Sequence, residues 1–317
     1  MHLLKPMVAS LGLLLNYQVM SCDPEGKSGI VEQNDMYIGV NAGVRSNVTE
    51  KDFNDVIDRV SRIYSPVITS KGANLKVNRL WSDGTVNASA QQTGSEWIVN
   101  MYGGLARHPA ITKDAFSLVM CHELGHHIGG APKKKIFWIK MWASNEGQAD
   151  YFGAMKCLRF YMEEDNNQEI VKGQNVPEFV KKECSDQFSD LEENAICQRT
   201  AMAGLSLGNL FKDLKKLTTD LRFDTPDPNK VTQIDHNHPA PQCRLDTYFA
   251  GALCPTHKDE DVSDDDASVG VCSKKNQDHA LTVRPGCWFV DEGAGGGGDL
   301  PFPWPPKVSV VTSLPQY

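Results

Sequence analysis

In the stretch VMCHELGHHIGG, residues 119–130, His122 and His126 stand four apart with Glu123 between them. On a helix this spacing puts both imidazoles on one face, one turn apart, where they can reach a single metal ion. Glu123 projects beside that face, close enough to take a proton from water on the metal. Alone, the pattern also suits a polar helix that happens to carry His122, His126 and His127. A catalytic zinc needs a third protein ligand and an open position, and the sequence offers one. Nineteen residues separate His126 from Glu146 in the run SNEGQADYFGAMKCL, in which Glu146 and Asp150 are again four apart and share a helical face. One can ligate, while the other can hydrogen-bond a liganding histidine and fix its tautomer. The expected centre is therefore one Zn2+ per chain on His122, His126 and Glu146, with Asp150 behind a histidine. Zinc so held lowers the pKa of its water to roughly 7. Glu123 would take that water's proton and later pass it to the leaving amine.

The elements that must hold these groups are partly readable. TEKDFNDVIDRVSRIYSPVI spaces Phe53, Val56, Ile57, Val60, Ile63 and Tyr64 for a helix, with Thr49 as N-cap and Asp52 three residues on. LKVNRLW, GTVNASAQ and EWIVNMYG are short β-rich runs between Ser-Asp-Gly and Thr-Gly-Ser punctuation, and predict a small meander. A metal-binding helix is expected over 113–128, capped by Thr112, with Asp114 in its first turn and Gly129-Gly130 ending it. A second helix is expected over 145–161, and further helical segments over 178–217. Between the two metal helices, Phe137, Trp138 and Trp142 are expected to pack under the second one. Residues 256–270 are acidic, lack EF-hand spacing and predict a solvated loop. The Gly- and Pro-rich run from Gly293 predicts an extended tail.

The segment from Val86 to His127 resembles the HtpX and CAAX-prenyl-protease group of gluzincin metallopeptidases, in which an Asn-Ala strand and a Gly-Leu turn precede the zinc helix. Here these are Asn87-Ala88 and Gly104-Leu105, and HPAPQCR matches that group's His-Pro-xxxx-Arg signature as His238, Pro239 and Arg244. The resemblance covers roughly residues 50–250. It implies an α+β zincin-like fold, a small mixed sheet packed on two zinc-binding helices with further helices after them. It also implies that His238 and Arg244 return to the active site, as candidates for stabilising the oxyanion, with His236 as a rival. A substrate peptide would pair along Asn87, Ala88, Ser89 and Ala90 as an added strand. The group is typically membrane-embedded, whereas this sequence has no apolar run long enough to span a bilayer after its N-terminus, so a prenylated or intramembrane substrate is not expected. The short His126–Glu146 gap is thermolysin-like.

Composition bounds the rest. The chain has 317 residues, 40% hydrophobic and 23% charged, with a net charge of −8. That describes a globular protein without the basic face of a nucleic-acid binder. Residues 1–22 read as a secretory signal, with Lys5 before an apolar core and Val-Met-Ser-Cys at the end, so Cys22 is a candidate lipid anchor. Export to the periplasm or cell envelope, or secretion, is expected. The domain organisation is then a signal over 1–22, a metallopeptidase domain over 23–255 and a C-terminal extension over 256–317. Apart from Cys22 there are eight cysteines, an even number suited to disulfides. Local pairings, Cys243–Cys254 and Cys272–Cys287, are the first expectation. Cys121 and Cys157 are expected to be too far apart to pair, because Cys157 lies eleven residues beyond Glu146. The leading functional expectation is an exported zinc endopeptidase acting on proteins or peptides. Its alternatives are a non-catalytic binding protein with a structural zinc and a zinc amidase of cell-wall amides.

Overall fold

A computed structural model of the chain describes residues 20–21, 29–43, 45–136, 139–277 and 279–291. The leader up to residue 19, Cys22, Phe137, Trp138 and the tail from 292 lie outside these residues. The fold is α+β, as expected.

Helix α1 (Glu50–Ser70) starts on a reciprocal cap: the Asp52 N–H donates to the Thr49 hydroxyl and the Thr49 N–H to the Asp52 carboxylate, 3.1 Å each. Its apolar face, from Phe53 through Tyr64 to Ile68, is buried, while Ile63 is only partly so. The strands are β2 (Asn74–Leu80), β3 (Ala88–Thr93) and β4 (Glu96–Tyr102). They are not a meander. β3 and β4 form an antiparallel hairpin, but β2 lies on the far side of β4 and parallel to it. The β2–β3 connection crosses past the place of β4, so the edge of β3 away from β4 is free to take other segments. A two-residue strand β1 (Met20–Ser21) pairs antiparallel with Gln92 and Gln91 of β3.

After a short helix α2 (Gly103–Arg107) comes α3 (Lys113–Ile128), whose cap Thr112 accepts from the Ala115 N–H. Every residue from Ala115 to Ile128 is buried, because α1, α8, α4 and the sheet surround it. A helix buried on all sides has no polar face. His122, Glu123 and His126 are therefore core residues, not decoration on a solvated helix.

The segment after α3 is a hairpin that the sequence did not suggest, β5 (Lys133–Ile136) and β6 (Ile139–Ser144). Trp142 on it does not pack under the second helix but stacks on His127. The second helix is α4 (Glu146–Phe152), continued through a π turn (Gly153–Cys157) into α5 (Leu158–Met162). Helices α6 (Asn167–Lys172), α7 (Glu178–Gln187) and α8 (Leu191–Leu214) follow, and then α9 (Pro241–Leu253).

Four disulfides use all eight cysteines after Cys22, as their even number suggests, but the three expectations about pairing fail. Cys121 pairs with Cys157 across a Cα separation of 5.5 Å. The second helix runs back along α3: Ala149 lies against Gly125, and Gly153 against the His122 N–H. Residues later on one helix thus face residues earlier on the other, and the π turn aims Cys157 at Cys121. The remaining pairs are Cys184–Cys197, Cys243–Cys287 and Cys254–Cys272. Cys243 and Cys254 stand at opposite ends of α9, about 16 Å apart at 1.5 Å per residue, so they cannot meet. Residues 256–291 fold back on the helices: Trp288 is fully buried and its indole N–H donates to Thr247 on α9. No helix among the described residues is long and apolar enough to cross a membrane.

Candidate metal centre

Three elements converge on the site. α3 supplies His122, Glu123 and His126, all fully buried. The end of β6 and the N-cap of α4 supply the next groups: Asn145 caps α4 by accepting from the Gln148 N–H, which fixes Glu146 as the first helical residue. The loop into α9 and its first turns supply His238, Arg244 and Tyr248. α3 and α4 can approach closely because residue 125 is glycine. A Cβ there would lie 2.9 Å from the Ala149 backbone.

The hydrogen bonds set both tautomers. His126 Nδ1 lies 2.8 Å from the Ser144 carbonyl, which can only accept, so Nδ1 carries the proton. His122 Nδ1 lies 2.7 Å from Asp150 Oδ1 and donates to it. Both Nε2 atoms then face each other at 3.1 Å, and Glu146 Oε2 lies 3.3 Å from the first and 3.6 Å from the second. Donors bound at 2.0–2.1 Å to a tetrahedral zinc lie roughly 3.3 Å apart. The three donors have that spacing, and buried Glu146 Oε2 has no hydrogen-bond partner. A cation fits this arrangement, since three electron-rich atoms face one point. The Glu123 carboxylate also belongs to this cluster, with one atom each of His122, Glu123 and His126 within 4.8 Å of one another. Of the two acids, it is Glu146 whose oxygen is spaced from both imidazole nitrogens as a third ligand would be. A second grouping, Asp227 with Cys243 and Cys287, offers no thiolate, because the two cysteines are bonded to each other.

Asp150 is the hub behind the donors. It accepts from His122, from Tyr248 Oη (2.6 Å), and from Arg244 through both Nε and Nη2 at 2.7 Å. Burial would raise its pKa, but Arg244 outweighs this and holds it down at about 2. Burial would likewise lower the His122 pKa, and Asp150 reverses that, lifting it to about 9. For Glu146, burial pushes upward, yet His238, Lys134 and His126 together bring the pKa well below the ordinary range. Glu123 differs: burial dominates and pushes its carboxyl up to about 7. One buried acid is thus held ionised and the other is poised near neutrality.

The other expected residues fall into place unequally. His238 Nε2 lies 3.3 Å from Glu146 Oε2 and donates to the Gly29 carbonyl at 2.7 Å. It is this histidine of the loop, not His236, that the structure brings against Glu146. Arg244 directs its donors at Asp150 and at the Ile30 carbonyl, and so acts on the centre through Asp150. Ala88 and Ala90 are both fully buried, the Ser89 hydroxyl turns to Asn100, and Asn87, just before β3, bonds Val31 through its side chain. His127 is no ligand: Trp97 and Trp142 stack on its two sides at 5.2 and 4.9 Å. Sequence reasoning missed Lys134, which donates to Glu146 Oε1 at 2.8 Å, the Ser144 carbonyl, and Tyr248. Tyr248 had a signal, since it lies one helical turn beyond Arg244. Lys134 and Ser144 had none, because they reach the site through an unforeseen hairpin.

No protein-family model matches the chain, and no curated protein or solved structure matches it.

Proposed function

We propose that this chain is an exported zinc metallopeptidase of gluzincin architecture, hydrolysing peptide bonds in proteins or peptides. The observation that carries the reading is the set of three buried donors, His122 Nε2, His126 Nε2 and Glu146 Oε2, spaced 3.1–3.6 Å apart beside an acid on the same helix. A zinc ion bound there supplies a Lewis acid that activates water near neutral pH. Glu123 accepts the proton released and delivers it to the departing amine. A structural metal site has no use for such a base. His238 donates to the carbonyl oxygen as it gains charge. Asp150, gripped by Arg244 and Tyr248, keeps His122 in its donor tautomer. The outward edge at Asn87 and Ala88 aligns an extended peptide.

Four disulfides support an oxidising compartment. Membrane anchoring through a lipidated Cys22 belongs to the same proposal, although Cys22 lies outside the described residues. The test uses zinc-loaded protein and its Glu123→Gln variant against a diverse peptide library and peptidoglycan fragments, read by mass spectrometry. Peptide cuts by the parent alone are expected. Zinc without any cut by either protein would overturn the reading, and cuts confined to peptidoglycan would make the chain an amidase.

A further inference from the structure

The outward edge of β3 beside the metal centre is already covered, and by the chain itself. Residues Gly29, Ile30 and Val31 are buried against it. The Ile30 N–H donates to the Ala88 carbonyl at 3.0 Å. The Val31 N–H donates to Asn87 Oδ1 at 3.3 Å, and Asn87 Nδ2 returns a bond to the Val31 carbonyl at 3.2 Å. The segment bends as it passes, with the Gly29 N–H turned to the Val31 carbonyl at 3.3 Å. Its two remaining carbonyls meet His238, which the proposed function aims at a substrate carbonyl, and Arg244, which holds Asp150. His238 donates to Gly29 O at 2.7 Å, and Arg244 Nη1 donates to Ile30 O at 2.6 Å.

That order fixes which bond is presented. The Gly29 carbonyl accepts from His238 Nε2, which also lies 3.3 Å from Glu146 Oε2, so of the two carbonyls it is the one linked through a single side chain to a candidate metal donor. The amide nitrogen on its far side belongs to Ile30. Residue 29 must be glycine for this seating, because a Cβ there would fall 1.5 Å from the Ala88 carbonyl oxygen.

We propose that Gly29-Ile30-Val31 is seated as a substrate of this same site and that the chain cleaves its own Gly29–Ile30 bond. The inference rests on the peptidase reading above. In the step, water oxygen bonds to the Gly29 carbonyl carbon and Glu123 takes the water proton. The C–N bond to Ile30 then breaks, and the proton passes to the Ile30 nitrogen. The products are a Gly29 carboxylate and a new N-terminal Ile30 amine. By the same seating, foreign substrates should carry a glycine followed by a branched aliphatic residue.

The test takes the full-length, oxidised, zinc-loaded chain and follows intact mass and N-terminal sequence. We expect an Ile30 N-terminus, formed at the same fractional rate across a tenfold dilution, and none in Glu123→Gln. A second readout needs no turnover. A labelled pentapeptide of residues 29–33 should bind the Glu123→Gln chain at least tenfold more tightly once Gly29→Ala unseats the segment, read by fluorescence anisotropy. Should Gly29→Ala impair folding, a protease site inserted after exposed Gln33 and cut after folding serves instead. A chain that cuts library peptides but leaves Gly29–Ile30 intact overturns self-cleavage and spares the peptidase reading. Equal pentapeptide binding with and without the segment overturns the seating itself. If no peptide is cut at all, the peptidase reading has failed and self-cleavage falls with it.

Discussion

At the scale of single residues, the three candidate donors depend on groups that stand behind them. Asp150 fixes the His122 tautomer, and Arg244 keeps Asp150 ionised. Such partners are typically worth about 10- to 100-fold in metal affinity. Asp150→Asn should therefore weaken zinc binding by about that factor in a chelator competition, with the fold retained. Arg244→Lys should weaken it too, because a point-charge ammonium cannot hold both carboxylate oxygens of Asp150. Gly125→Ala tests the close approach of α3 and α4. Its Cβ would press on the Ala149 backbone, so a loss of about 1–3 kcal/mol in a denaturant melt is expected. The donors were legible at this scale, since a spacing of four on a helix places His122 with His126 and Glu146 with Asp150. Lys134 and the Ser144 carbonyl were not legible. A surface-type lysine and a backbone oxygen carry no signature of the partner they meet.

At the scale of elements, helices announced themselves through caps and apolar faces, as α1 and α3 did. What periodicity could not say was how elements pass one another. The parallel placement of β2 beside β4 depends on a crossover, and the Cys121–Cys157 bond depends on the second helix running back along α3. The error over Cys243 and Cys254 came from not seeing α9, whose Pro241 start and apolar positions lie behind a polar loop. The Cys121–Cys157 bond closes 36 residues that include the hairpin and Glu146. Replacing both cysteines by alanine should cost about 2–4 kcal/mol in a thermal or denaturant melt. Zinc affinity should fall with it, since α4 is then held to α3 by packing alone.

At the scale of the whole molecule, one half-buried acid on α9 gives a pH dependence with a definite sign. Burial pushes Asp246 on α9 up to about 6, from an ordinary value of 3.8. The folded state therefore binds this proton more tightly than the unfolded chain. Its favourable contribution is complete below about pH 4 and lost as pH rises through 6. Asp246 is only partly shielded from solvent, so the swing should be about 1–2 kcal/mol. Melts of the parent and Asp246→Asn at pH 4 to 7 should diverge by that amount, with the parent losing ground as pH rises. The last described segment also binds the molecule together. Trp288 lies over Gly147, where a Cβ would come within 2.3 Å of the ring, Arg284 reaches Gln148 at 3.0 Å, and Cys287 is bonded to Cys243 beside Arg244. Trp288→Ala should cost about 3–5 kcal/mol, read by thermal melt. This clamp also sets a timetable for biosynthesis. A chain emerging N-terminus first has His122, His126 and Glu146 by residue 146 and can tie α4 to α3 through Cys157, yet Trp288 and Cys287 close over Gly147 and Cys243 only after residue 288 has been translated. A half-made or still-reduced chain thus lacks the clamp over α4 and α9, and under the proposed function it should hold zinc less tightly than the finished one.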